Sequence, residues 1–172
     1  MLRAKVAYVE PTWLHAYEWM ARQLAQRVGP APLGCDLPIW VWCQWNGQRQ
    51  AKPDLRYKAH LPSGTPGVRL TLSLDTARLL CSDFHLWHYA LNQAYLPETL
   101  AEWAWFEACE EAHGFPNHWF GQHDLERSCE RMFDLNWYNP DFTYARLEKS
   151  IQAVLWELHL NDVIAAEHFY AR

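Results

Sequence analysis

The 172-residue sequence predicts one α+β domain spanning residues 1–172, a single compact unit with a mixed sheet of short strands packed by three or more helices. Helical and strand periodicities occur in the same chain without the regular β-α-β alternation of a parallel fold. Half of the residues are hydrophobic and a fifth are charged, the balance of a chain that buries a core. Pro, Gly and Asn punctuate the sequence singly, and no repeat or low-complexity stretch marks a linker.

The elements follow in order. Thr12 is placed to cap a first helix, in which Trp13, Ala16, Tyr17, Met20, Leu24 and Val28 recur at helical spacing until Gly29-Pro30 stops it. The word PIWVWCQW, Pro38 to Trp45, follows a proline and is rich in aromatic and β-branched residues, so Ile39 to Trp45 reads as a strand. Its alternation puts Ile39, Val41, Cys43 and Trp45 on one face and Trp40, Trp42 and Gln44 on the other; both faces are apolar, which predicts an interior strand. In KPDLR, Pro53 steers Lys52 toward an extended path that would line up Lys52, Asp54 and Arg56. GVRLTLSLD, Gly67 to Asp75, alternates with the period of a half-buried strand. The apolar run Leu79 to Cys81 leads into SDFHLWHYALNQAYL, a helix that Ser82 or Asp83 caps, with Phe84, Trp87, His88, Leu91 and Tyr95 sharing a face. Pro97 or Glu98 opens a further helix that ends at Gly114. Near the end, IQAVLWEL fits either a helix or a buried strand before an Asn161-Asp162 turn, and the residues alone leave both open.

The formal charge of −5 and the lack of a basic run exclude bulk nucleic-acid binding. Charge and Pro11 interrupt the opening segment, so it reads as neither a signal peptide nor a membrane span, and a soluble cytoplasmic protein is expected. Cys35, Cys43, Cys81, Cys109 and Cys129 are scattered, with no C-x-x-C pair, and are expected to be reduced.

Four groups of residues are candidates for chemistry. Lys52 and Arg56, with Asp54 orienting the guanidinium, suit a phosphate or carboxylate; self-neutralising edge charges are the alternative. Gln44 and Trp45 form the strand end beside that charged word. Ser82 and Asp83 lie at a helix start whose N–H groups favour anions, and His88 lies one turn on; a cap and a packed histidine are the alternative. Cys109, His113, His118, His123 and Cys129 are of metal-ligating types, yet their spacing matches no closed zinc pattern, so a polar loop without metal is expected. Gln152, Trp156 and Glu157 are a weaker group, in which a buried Glu beside aromatics would serve as a base. No phosphate-binding glycine loop and no G-x-S-x-G elbow is present.

The words AYEWM, PIWVWCQW, KPDLR, SDFHLWHYALN, RMFDLNW and IQAVLWEL, in that order and spacing, resemble the bacterial family known as domain of unknown function 3841. The resemblance runs from about Ala16 to the C-terminus and implies no established reaction. It favours the strand reading of IQAVLWEL, and the closing pattern of strand, short turn and last apolar segment VIAAEHFYAR is similar to the end of ADP-ribosyltransferase-like folds. Two expectations follow. One is an enzyme-like nucleotide pocket, with NAD as candidate cofactor and zinc disfavoured, in which Lys52, Arg56 and the Ser82-Asp83 helix start meet phosphates and His88 supplies a proton or hydrogen bond. The other is a non-catalytic protein-protein interaction module, one member of a toxin or defence pair.

Overall fold

The helical spacing after Pro11 places Ala16, Trp19, Met20 and Leu24 in the core, on a helix α1 (Leu14–Arg27). The chain is seen in a computed structural model that describes residues 2–4, 9–47, 53–57, 61–114 and 121–172. Thr12 is not the cap. Pro11, with its preset φ, starts a short 3-10 turn, Pro11–Trp13, so the N-cap position of α1 falls to Trp13, which makes no side-chain capping bond.

Strand β1 (Ile39–Gln44) pairs antiparallel with β4 (Ile151–Leu155), and β4 pairs on its other side with β3 (Leu80–Asp83). The order β1-β4-β3 makes the ambiguous C-terminal segment the central strand, and the tryptophan strand an edge rather than an interior one. Trp40 lies against Tyr17 and Trp87, with ring centroids 5.7 and 4.7 Å away, and Trp42 meets Phe84 at 4.8 Å. These contacts, from Tyr17 on α1 and from Phe84 and Trp87, cover the Trp40–Trp42 face of an edge strand, while Cys43 is exposed. A β-bulge between Trp42 and Gln44 also breaks the expected alternation, so that Trp45 packs edge-on against Trp42 at 4.7 Å.

The remaining strands, β2 (Pro66–Leu72) and β5 (Val163–Tyr170), form a separate two-stranded antiparallel ribbon. The α+β class is as expected, with the strands divided between two antiparallel sheets instead of one mixed sheet. The ribbon's faces are reversed from the sequence reading: Val68 and Leu70 are exposed, and Arg69 and Thr71 occupy the half-buried side. The reason is the partner on that side, where residues 53–57 approach and the Phe169 ring covers Gly67.

Helix α2 (Phe84–Leu91) begins at Asp83, whose carboxylate accepts from the amides of His85 and Leu86. It ends before Tyr95, because Gln93 adopts φ 53°, and Tyr95 stacks instead on Phe106 at 5.0 Å. Its buried side is Leu86 and Trp87, which leaves His88 exposed. Helix α3 (Leu100–His113) is capped by Thr99 rather than starting at Pro97 or Glu98, and it stops at Gly114 with φ 73°, as the sequence predicts. The stretch read as a polar loop contains a further helix, α4 (Gln122–Cys129), whose Leu125 packs on Phe106. Among the described residues no helix is long and apolar enough to cross a membrane. All five cysteines are free thiols.

Candidate functional site

Six of the residues singled out in the sequence, Gln44, Trp45, Ser82, Asp83, His88 and Gln152, converge where β3 runs into α2. Asp83 and Lys149 are both fully buried there, with Lys149 Nζ 2.9 Å from Asp83 Oδ2. The carboxylate also accepts from His85 N at 2.9 Å and from the Thr143 hydroxyl, and Lys149 Nζ donates a second bond to the Trp137 carbonyl at 2.8 Å. A buried ion pair needs further hydrogen bonds on both partners, and both Asp83 and Lys149 have them. The pair pins α2 to the irregular segment before β4. The first-turn amides of α2 are occupied as well, since Phe84 N donates to the Ser150 carbonyl at 2.9 Å while His85 N and Leu86 N go to Asp83. The helix start is thus closed by the chain's own groups, and Asp83 is a cap and an ion-pair partner.

Around this centre, Gln44 Nε2 donates to the Lys149 carbonyl at 2.8 Å, and Trp45 lies 6.3 Å from Phe84. His88 turns outward, its Nδ1 2.9 Å from the Phe84 carbonyl four residues back. Ser82 is directly opposite Gln152, which faces Trp42 on its other side; the Ser82 hydroxyl is buried without a hydrogen-bond partner. Sequence reasoning missed His85 and Lys149. Burial pushes the His85 pKa below its ordinary value, with Asp83 working in the opposite direction and His88 and Lys149 adding to the depression. Its Nδ1 is buried and unpaired, 3.9 Å from Asp83 Oδ1. A histidine next to a capping Asp was the available signal for His85. A lone Lys in LEKS gives no sign in the sequence that it is buried.

Asp54 and Arg56 lie elsewhere, and Lys52 falls outside the described residues. Arg56 Nε and Nη2 each donate to an Asp54 carboxylate oxygen at 2.8 Å, so the two-pronged face of the guanidinium is turned to Asp54. Those bonds hold the Asp54 carboxyl well below the usual carboxylate range. The backbone is a turn rather than an extended strand, closed by Arg56 N donating to Asp54 Oδ1. The turn faces the half-buried side of the β2–β5 ribbon across a cleft of about 360 Å³, lined among others by Leu55, Arg56, Arg69, Glu167 and Phe169. Arg69 reaches across the ribbon to pair with Glu167, the residue directly opposite it. Its Nε is buried with no hydrogen-bond partner among the described residues. The Arg56 carbonyl accepts from Arg172 N at 2.7 Å, tying this turn to the end of the ribbon.

The other candidate groups have structural partners. Trp156 Nε1 donates to the Gly29 carbonyl at 2.9 Å, and Glu157 pairs with Arg3 at 2.8 Å. Burial pushes the Cys129 thiol up to about 12, and its Sγ lies 3.7 Å from the Ala94 carbonyl. His118, of the same group, lies outside the described residues. A groove of similar volume between α1 and α4 is spanned by Arg22–Glu126 and Arg27–Glu130 pairs, which join the two helices.

A family model described as a domain of unknown function (DUF3841) matches residues 2–164. No curated protein and no solved structure matches the chain.

Proposed function

The chain belongs to that family, whose function is unknown, and from the geometry of the cleft we propose that it binds a small anionic ligand of the nucleotide class, NAD among the candidates. The observation that carries this reading is the pair of guanidiniums on one cleft. Arg56 is held by Asp54 and Arg69 by Glu167, and the buried Arg69 Nε lacks a partner. A donor buried in this way costs roughly 1–3 kcal/mol unless something accepts from it. A phosphate oxygen would do so, and the N–H groups of Arg56 not turned to Asp54 would meet a second oxygen. Two carboxylates balance the two guanidiniums, so recognition rests on aimed donors rather than on net charge. Phe169 and Leu55 supply an apolar wall for a ring, and about 360 Å³ lies within the usual range of small-molecule sites. A cytoplasmic setting, where five free thiols stay reduced, fits this reading.

The test is a thermal-shift series with NAD, AMP, ADP and inorganic pyrophosphate. A ligand at 100 times its dissociation constant stabilises the fold by about 2.7 kcal/mol. At least one of these compounds should raise the melting temperature of wild type, and Arg56→Lys and Arg69→Lys should each abolish the rise, because an ammonium cannot reproduce a planar fork. If all four leave wild type unmoved, or the lysine variants respond as wild type does, the cleft is not a site for such ligands.

The interaction-module reading is supported by a different feature. Helix α3 has a single buried residue among those described, Phe106, and leaves Leu100 and Trp103 at 52% and 43% exposure. Trp103 also packs at 6.0 Å against Phe142, a buried ring that anchors it. Under this reading Trp103→Ala weakens partner capture and leaves the melting temperature within the small range of surface substitutions.

A further inference from the structure

Two of the five free thiols meet on the three-stranded sheet. Val41 of β1, Ala153 of β4 and Cys81 of β3 stand in one row across the strands and share a face. Cys43 follows Val41 at the bulge, and its thiol donates a hydrogen bond to the Cys81 sulfur across β4. At this level β4 offers only the methyl of Ala153, which is fully buried. Cys43 is exposed and Cys81 partly so. Arg146 adds a positive charge near Cys81, from a segment whose Arg146 carbonyl accepts from Gln44 Nε2 at 3.3 Å, next to Cys43. Two thiols in contact would close to a disulfide if the backbone let them. Here β1 and β3 flank β4, so two strand spacings, about 9.5 Å, separate their backbones, whereas a disulfide needs Cα atoms within about 7 Å.

We propose that Cys81 is a modification site, whose sulfur attacks a low-molecular-weight disulfide and keeps the small thiol as a mixed disulfide that Cys43 assists but cannot resolve. In the exchange one S–S bond breaks and one forms; the released small thiolate leaves with the electron pair of the broken bond and takes a proton from water. The thiolate is the nucleophile, and a donor thiol with a guanidinium nearby favours that form. The Cys43 hydrogen bond, against the opposing effect of burial and with help from Arg146, brings the Cys81 pKa down to about 7, while the same bond pushes Cys43 up. Burial pushes Cys35 and Cys129 up as well, which sets Cys81 apart from them. Because Cys43 cannot displace it, the adduct stays until an external thiol removes it. Neither thiol lines the ligand cleft, so the assignment stands or falls separately from the anion reading.

The test treats the native full chain with oxidised glutathione at neutral pH and maps adducts by peptide mass spectrometry, alongside iodoacetamide alkylation of Cys81 as a function of pH. Cys81 should carry the first glutathione, and its alkylation should rise with a midpoint near 7. Cys43→Ala should move that midpoint up toward about 8.5, the value of an ordinary thiol. The neutral-pH rate should then fall about threefold, since a drop in ionisation from about half to roughly 3% is partly offset by the greater nucleophilicity of a more basic thiolate. Cys43→Ser keeps a donor and should stay close to wild type. Position 43 is exposed, and thermal melting verifies that both variants fold. A first adduct at any other cysteine, a Cys43–Cys81 disulfide in the peptide map, or a midpoint indifferent to Cys43→Ala each overturns the assignment.

Discussion

Lys149 and Asp83 face each other, both fully buried, and neither can be removed without stranding the other. Lys149→Met should therefore destabilise by about 3–5 kcal/mol in urea denaturation. Adding Asp83→Asn to that variant should recover part of the loss, because the stranded charge is then gone while an Asn still caps α2. A double variant no more stable than Lys149→Met would show that the pair acts only as packing. His85 gives a second prediction. Its folded-state pKa lies below the unfolded value of about 6.5, so the unfolded chain takes up the proton more readily. Its contribution is therefore complete above the unfolded value and is lost as pH falls through it toward the folded value, with no further loss below. Wild type should lose more melting temperature between mildly alkaline and mildly acidic pH than His85→Gln; equal losses contradict this. At this scale the sequence was informative where a residue acts locally. Asp83 as a cap and Asp54 beside Arg56 are short-range relations, whereas the Asp83–Lys149 pair joins residues 66 positions apart by subtraction of their numbers, and only the pairing of β3 with β4 brings them together.

Among the elements, β2 shows how periodicity fixes alternation without fixing which side is buried. Val68, Leu70 and Leu72 do alternate with polar residues, but the cleft side is filled by Arg69, Thr71 and the Phe169 ring instead. Gly67 makes that possible. A Cβ there would sit 2.4 Å from Phe169 Cζ, so the ring could not keep its place. Gly67→Ala should then cost about 1–3 kcal/mol through displacement of the ring, and it should weaken whichever ligand raises the wild-type melting temperature. In a Phe169→Ala background the same change should cost little, since the clash is absent and alanine suits a strand better than glycine. Equal costs in the two backgrounds would mean that the ring and the glycine are not coupled. The tryptophan strand was legible as a strand and misread as interior, because rings from α1 and α2 cover the Trp40–Trp42 face of an edge strand and leave Cys43 exposed.

Across the whole molecule, the two sheets are unequally supported. The central strand β4 is paired on both sides and contributes Val154 to the main core, together with Leu80 from β3. Among the described residues the ribbon has one pairing, continued at its ends by Ser73 N donating to the Asp162 carbonyl at 2.8 Å and Gly64 N to the Ala171 carbonyl at 2.9 Å. It is tied to the rest of the chain where Arg78 forks onto Asp162, holding that carboxyl down to about 2, and where Arg172 N donates to the Arg56 carbonyl. The α+β class and the strand content were readable from local patterns. The division into two sheets was not, because strand order depends on contacts between distant segments that no periodicity encodes. A fold supported in this way should open in parts. In native-state hydrogen exchange, interstrand amides of β2 and β5 should exchange through openings of lower free energy than those of β4, and the difference should vanish only under conditions that unfold the whole chain. A ligand in the cleft bridges residues 53–57 to the ribbon without touching β4. Saturation should therefore slow exchange in the ribbon and leave β4 at its global rate. If the ribbon and β4 exchange with one common free energy, the chain unfolds as a single unit and the cleft cannot be ordered independently of the core.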